Sequence, residues 1–332
     1  MIRIIESSPL QIMRSLLILI LLSSWGLQAQ NKMGITGKPD TSFANYSAWQ
    51  SLLKEDSTVR LAQFQSSKTR VQSSKTQFQS SDFKVQSSIY KTMGSRKLVV
   101  DEYAESATRR LPVLVFFHGG GWRTGHRSQH ITLAQALADR GYRVFLVEYR
   151  LSTEALYPAA MLDAQAALQW VSKRKNVKKI YVAGYSAGGQ MAALLGSVQD
   201  ENTYGKGVKV VAVIDIDGIL AFIHPESGEG DDSKRTSAAT YYFGYNKVDG
   251  EAIWNEGSAL SHVSAGDPPV LFLNSGVERM HAGRTDFMKK MASYGIHTEY
   301  YTFEKSPHTF VLLNHWFDQV VDRMDQFMKN FH

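Results

Sequence analysis

The sequence predicts an α/β protein, with a mostly parallel central sheet, helices on both faces and one lid-like insertion. Three observations predict it. Short apolar runs alternate with stretches of helical period from about residue 88 onward. Two of those runs open directly into glycine-rich turns, "LPVLVFFHGGGW" and "KKIYVAGYSAGG". A stretch at 217–266, acidic and rich in aromatics, then breaks the alternation. Strands separated by helical stretches call for crossover connections, and crossovers make parallel sheets.

The elements follow in chain order. "KLVVDEYAES" has the alternation of a half-buried strand, and "LPVLVFF" is apolar throughout, as a strand buried on both faces must be. "ITLAQALADRGY" is helical and "RVFLVEYRL" is a strand. In "YPAAMLDAQAALQWVSKR" the residues Met161, Ala164, Leu168 and Val171 fall on one helical face. "KKIYVAGYSAGGQMAALLGS" reads as strand, turn, helix. "VKVVAVIDI", "PPVLFLNSG" and "TEYYTFEKS" are further strands, and "FDQVVDRMDQFMKNF" is a terminal amphipathic helix. No helical pattern separates the first strands, so that edge is expected to be antiparallel. The insertion, with Tyr241, Tyr242 and Phe243, is expected to lie over the site.

Upstream, Arg14 precedes "SLLILILLSSWGLQAQ", a basic start, an apolar run of about ten residues and a small-residue exit near Ala29. A membrane-spanning helix needs about 20 apolar residues. Residues 1–29 are therefore expected to be a signal peptide, leaving an exported chain with no stable membrane anchor. Between 30 and 87 lies an extension carrying a repeat. "QSS" begins at Gln65, Gln72, Gln79 and Gln86, each copy following Phe64, Val71, Phe78 or Val85. One apolar position per repeat is too few for a coiled-coil seam, so the extension is expected to be flexible and to carry no chemistry.

Composition excludes several chemistries. There is no cysteine, hence no disulfide, thiolate nucleophile or cysteine-ligated metal. The net charge of +6 is spread along the chain rather than gathered into a basic patch, which argues against a nucleic-acid partner. His126 and His130 stand four apart in "HRSQH" but lack the glutamate of a zinc-protease helix; they are read as surface residues or site rim, and no metal or other cofactor is expected.

Three motifs carry chemistry. "GYSAGG" at 184–189 fits Gly-x-Ser-x-Gly between a strand and a helix, the context that exposes a serine nucleophile at the sheet edge. Ser186 is the expected nucleophile, and the Ala187 N–H faces the developing oxyanion. "HGGGW" at 118–122 follows another buried strand, and Gly120 and Gly121 are the expected further oxyanion donors. "KSPHTF" at 305–310 places His308 after the last strand, as general base.

The order "HGGGW", "VEYRLS", "YPAAMLDAQAALQWV", "GYSAGG", "DPPVLFLNSG", "SPHTF" resembles the α/β-hydrolase superfamily. Within it, the chain resembles the branch of hormone-sensitive-lipase-like esterases and secreted bacterial carbohydrate esterases acting on feruloyl, acetyl and pectin esters. The resemblance covers about 88–332 and implies a serine carboxylesterase. Related enzymes commonly carry "HG" and then an aspartate after the penultimate strand. Here Asn274 and Ser275 stand in place of that pair, and Glu278 stands in place of the aspartate. Glu278 is the expected acid, with Asp286, Asp215 and Asp217 as rivals. Arg279, His281 and Arg284 crowd this stretch, and with Trp122 they are the candidate substrate contacts. A guanidinium can bind a carboxylate bidentately, which suits a uronic-acid polymer such as pectin. The expected partner is thus a polysaccharide or oligosaccharide ester, with a general short-chain carboxylesterase or lipase, a feruloyl esterase and a non-catalytic binding scaffold as the alternatives.

Overall fold

The computed structural model describes residues 37–39, 58–63, 84–105, 110–177, 179–198 and 209–331. Eight strands form one sheet: β1 (Lys84–Met93), β2 (Arg96–Ala104), β3 (Val113–Phe117), β4 (Arg143–Val147), β5 (Ile180–Tyr185), β6 (Val210–Ile216), β7 (Val270–Asn274) and β8 (Thr298–Thr302). Their spatial order is β1-β2-β4-β3-β5-β6-β7-β8. β1–β2 and β2–β4 are antiparallel, and every other pair is parallel. The antiparallel edge and the parallel remainder match the reading from sequence.

Eight α-helices complete the described fold: α1 (Ile131–Asp139), α2 (Ala159–Ser172), α3 (Ala187–Ser197), α4 (Ala238–Phe243), α5 (Glu251–Glu256), α6 (Ala259–His262), α7 (Arg284–Ser293) and α8 (Asn314–Lys329). β3 shows why its sequence is apolar throughout. Val113, Val115 and Phe117 join an apolar layer with α2, α3 and α7, whereas Leu114 and Phe116 join the opposite layer with α1 and α8. A strand buried on both faces has no side left for polar residues. On α2, Met161, Ala164, Leu168 and Val171 are all buried, as their spacing requires. α3 is buried along its whole length at the centre of the first layer, which fixes the residue that starts it.

The segment between β6 and β7 holds α4, α5 and α6. Tyr242, Phe243 and Trp254 are buried in it and pack on Phe222 and Trp122. Burial of large aromatic rings contributes about 1.5–3 kcal/mol each, so the segment is anchored on the domain by its own small core.

Three features differ from the sequence reading. The sheet begins at Lys84 rather than near residue 88, because the last repeat copy, Gln86–Ser88, is part of β1, where Ser87 Oγ donates to Asp101 Oδ1 at 2.6 Å. The earlier copies lie outside the described residues, as do residues 1–29. His130, expected at the surface or on the site rim, is buried between the rings of Phe116 and Tyr185. Residues 58–62, assigned to the flexible extension, lie against residues 312–315. Among the described residues no helix is long and apolar enough to cross a membrane.

Candidate active site

Ser186 sits between β5 and α3 with φ 55° and ψ −118°. A non-glycine residue at positive φ is strained and persists only where packing enforces it. Here the enforcement comes from Gly188: a Cβ there would collide with the Phe117 carbonyl at the end of β3. The tight approach holds α3 against the sheet, and Ser186 N–H donates to the Ile216 carbonyl at 2.7 Å. As the first residue of α3, Ala187 has an N–H without an intrahelical acceptor, at the positive end of the helix dipole.

The glycine loop follows β3. Arg123 and Thr124 N–H groups both donate to the Gly120 carbonyl, folding the loop over. Gly120 has φ 128°, and a Cβ there would meet the Thr124 carbonyl. His118 is a support of this loop. It is buried, stacked on Tyr149 at 4.4 Å, and its own carbonyl accepts from Tyr149 Oη at 2.7 Å. Burial lowers its pKa to about 4, so it stays neutral. Trp122 Nε1 donates to Gln190 Oε1 at 2.9 Å, and its ring stacks on Tyr242 at 4.9 Å.

His308 lies on the loop after β8, where its carbonyl accepts from Tyr185 Oη at 2.9 Å. Its Nε2 is 2.9 Å from Ser186 Oγ, and its Nδ1 is 2.6 Å from Asp217 Oδ2. Asp217, not Glu278, is therefore the carboxylate on the histidine. Asp217 follows β6 with φ 57° and is fully buried. Its Oδ1 accepts from the Ser275 N–H at 2.8 Å, and its own N–H donates to the Leu273 carbonyl at 2.9 Å. Glu278 opens a 3-10 turn, Glu278–His281, and points to solvent. The reason is geometric. β6 and β7 are neighbours, so a carboxylate at the end of either strand can face the last loop. With Asn274 ending β7 and Ser275 directly after it, that strand end supplies hydrogen-bond donors to an acid that follows β6. Of the other rivals, Asp215 is held by the Gly218 N–H, and Asp286 lies in the first turn of α7, 3.3 Å from His224 Nε2.

An open cavity of about 520 Å³ lies above this trio. Gly120, Gly121, Trp122, Ser186, Ala187 and His308 form its floor, and residues of the 217–266 segment form a wall. Of the expected substrate contacts, Trp122 and Arg279 line it. Arg284 and His281 do not. Arg284 Nη1 donates to Asn274 Oδ1 at 2.6 Å, and His281 Nε2 donates to the Ser275 carbonyl at 2.8 Å. Both are turned inward because they pin the two residues that face Asp217. Sequence reading missed the other cationic lining residues, Arg123 and Arg235. Arg123 lies 4.0 Å over the Tyr241 ring, and Arg279 Nη1 is 3.8 Å from Glu229 Oε1. Their distance in the chain from the motifs left no signal for Arg235, while Arg123 directly follows "HGGGW".

The sheet order, the strand–turn–helix bearing Ser186 and the histidine on the last loop define an α/β-hydrolase fold. The chain belongs to the BD-FAE family, whose profile matches residues 100–279. Among curated proteins it is similar to "Carboxylesterase NlhH" of Mycobacterium tuberculosis, 41% identical over 91 residues. That match takes in 26% of this chain and 28% of the relative's length. "Esterase LipC" of the same organism is 34% identical over 125 residues, 33% of this chain and 30% of the relative. Among solved structures, a Pyrobaculum calidifontis esterase superposes with TM-score 0.62 at 23% identity, covering 74% of this chain and 85% of that one. A truncated carbohydrate esterase from gut microbiota superposes with TM-score 0.61 at 17% identity, covering 76% and 98%.

Proposed function

We propose that this chain is a serine carboxylesterase acting on esters of a plant polysaccharide, with methyl or acetyl esters of pectin favoured. The observation that carries the reading is the pair of hydrogen bonds made by His308, to Ser186 Oγ at 2.9 Å and to Asp217 Oδ2 at 2.6 Å. His308 Nε2 takes the Ser186 proton as Oγ attacks the ester carbonyl. The Gly120, Gly121 and Ala187 N–H groups receive the oxyanion. Asp217 holds Nδ1–H and stabilises the imidazolium that forms. His308 then protonates the departing alcohol, and water resolves the acyl-enzyme by the same steps in reverse.

The lining of the cavity supports a sugar ester over a simple aliphatic one. Arginines, carboxylates, the hydroxyls of Thr124, Thr236 and Ser237 and the rings of Trp122 and Tyr241 outnumber the apolar side chains of Ala187, Ile219, Ala238 and Met280. Arg123, Arg235 and Arg279 favour a substrate bearing carboxylates, as uronic-acid polymers do. The leading apolar run at residues 1–29 supports export to where such polymers occur. A general short-chain carboxylesterase is the second reading, favoured by the names of the curated relatives.

The test has two parts. A fluorophosphonate should label Ser186, and Ser186→Ala should abolish both labelling and aryl-acetate turnover; an unlabelled wild type sinks the esterase reading. Methanol and acetate release should then be compared across pectins, xylans and simple esters. Preference for neutral esters moves the assignment to the second reading.

A further inference from the structure

We infer that residues 58–62 are a positioning strap for His308, a working part of the active site rather than a passive extension. This inference rests on the triad reading above. The strap runs antiparallel to the chain that follows the histidine, with Leu61 bridging Leu313. The Ala62 N–H donates to the Leu312 carbonyl at 2.9 Å, and the Asn314 N–H donates to the Arg60 carbonyl at 3.0 Å. The Arg60 N–H donates to Asn314 Oδ1 at 2.9 Å, Asn314 Nδ2 donates to the Thr58 carbonyl at 3.3 Å, and Thr58 Oγ1 is 3.1 Å from His315 Nε2. Thr132 Oγ1 on α1 reaches the Ala62 carbonyl at 3.4 Å, and Val59 is buried.

These contacts fall on one structural unit. His308, the 3-10 turn Phe310–Leu312 and the start of α8 form a continuous stretch. Its inner flank is fixed by buried Phe310, Val311 and Leu313 and by the Tyr185 bond to the His308 carbonyl. The outer flank is only partly buried, with Leu312 and the strap's Ala62 packed at the edge of the core. A cavity of about 260 Å³ lies there, bounded by Leu61, Ala62, Leu133, Val311, Leu312 and Phe317 among others. With this open pocket at its side, the strap is held by its hydrogen bonds to residues 312–315 together with buried Val59 and Ala62 at the core edge. Those bonds are therefore what limits outward movement of the stretch that carries His308. Proton transfer between Ser186 and His308 is sensitive to such movement, since a displacement of about 1 Å can cost roughly 100-fold in rate.

The test uses the full-length chain. Ala62→Pro removes the N–H that bonds to Leu312, whereas Ala62→Ser keeps it. For Ala62→Pro we expect kcat on an aryl acetate, and the rate of fluorophosphonate labelling, to fall about 5- to 50-fold. KM should stay within about twofold, and Ala62→Ser should match wild type. Asn314→Ala, which deletes two strap bonds from the other side, should show the same split and carries the test should Ala62→Pro fail to fold. The strap is refuted if kcat stays within twofold in the folded variants, or if only Tm falls. It is refuted equally if the loss appears in KM or in Ala62→Ser. An unlabelled wild type overturns the triad reading instead, so the two failures are distinguishable.

Discussion

Asp217→Asn isolates the part of the site that the sequence assigned to a different residue. The substitution keeps the shape of the side chain and can keep the Ser275 N–H bond to Oδ1. It removes the negative charge 2.6 Å from His308 Nδ1. In the proposed mechanism His308 becomes an imidazolium, and the two charge centres are then about 4 Å apart. At an effective dielectric near 20 that attraction is about 4 kcal/mol, or roughly 10³ in rate. An asparagine that turns its amide N–H₂ toward Nδ1 also favours the wrong tautomer, with the proton on Nε2, which raises the expected loss to about 10⁴. The assay is kcat on an aryl acetate, normalised to the labelled fraction of Ser186, with Glu278→Gln as the paired control. Glu278 is exposed, so its variant should stay within about twofold of wild type. An Asp217→Asn loss under tenfold, or an equal loss for Glu278→Gln, would refute the assignment.

Further outcomes follow from the same geometry. Gly120→Ala places a methyl against the Thr124 carbonyl at a φ of 128°, and the distorted loop should lower kcat about 10²–10³-fold with Ser186 still in place. Arg279→Ala should raise KM on partly esterified, carboxylate-rich pectin about 5- to 10-fold and leave aryl-acetate turnover unchanged. Arg284→Ala should do the reverse, lowering kcat on every ester about tenfold, because its guanidinium holds Asn274 rather than substrate. His130→Phe tests acid stability. Burial lowers the His130 pKa from 6.5 to about 3. Below pH 6.5 the unfolded chain takes up a proton that the folded chain refuses, so stability drops as pH falls from 6.5 toward 3. Phenylalanine removes that uptake, and the Tm difference between pH 7 and pH 4.5 should shrink; an unchanged difference would show that His130 is not a source of acid sensitivity.

The sheet, its antiparallel edge and the flanking helices were legible because each depends on local periodicity. β3 had to be apolar throughout and α2 had to carry a stripe, whatever their neighbours were. Ser186 and His308 were legible because a strand–turn–helix and a last loop fix their places. Three things were not. The insertion helices α4, α5 and α6 are only four to six residues long, too short for a helical period to show. β1 was masked by a serine-rich repeat whose polar face is tolerable on an edge strand. Residues 58–62 hold no pattern of their own, and their place is set by partners more than 200 positions away.

The acid was misplaced for a reason that also explains the cations around it. A carboxylate buried without compensation would be protonated or would destabilise the fold. Asp217 is fully buried, so something must hold its charge. The Ser275 N–H and Asn274 Nδ2 face it at 2.8 and 3.5 Å, and Arg284 stands behind Asn274 at 2.6 Å. His281 in turn fixes Ser275. The stretch "NSGVERMHAGR" carries positive charge because it is the receptor for an acid from the neighbouring strand. Of its basic residues Arg279, at its centre, lines the cavity, beside Met280. One short segment therefore divides two tasks among its basic residues. Arg284 and His281 hold the two residues that face Asp217, and on the proposed function Arg279 is the one available to substrate. Asp215 sharpens the contrast: also buried, it has one oxygen on the Gly218 N–H and the other without a partner, and burial pushes its pKa well above the usual carboxylate range. The two aspartates on either side of Ile216 thus differ in their partners: Asp217 is met by His308 and the β7 end, whereas Asp215 has only the Gly218 N–H.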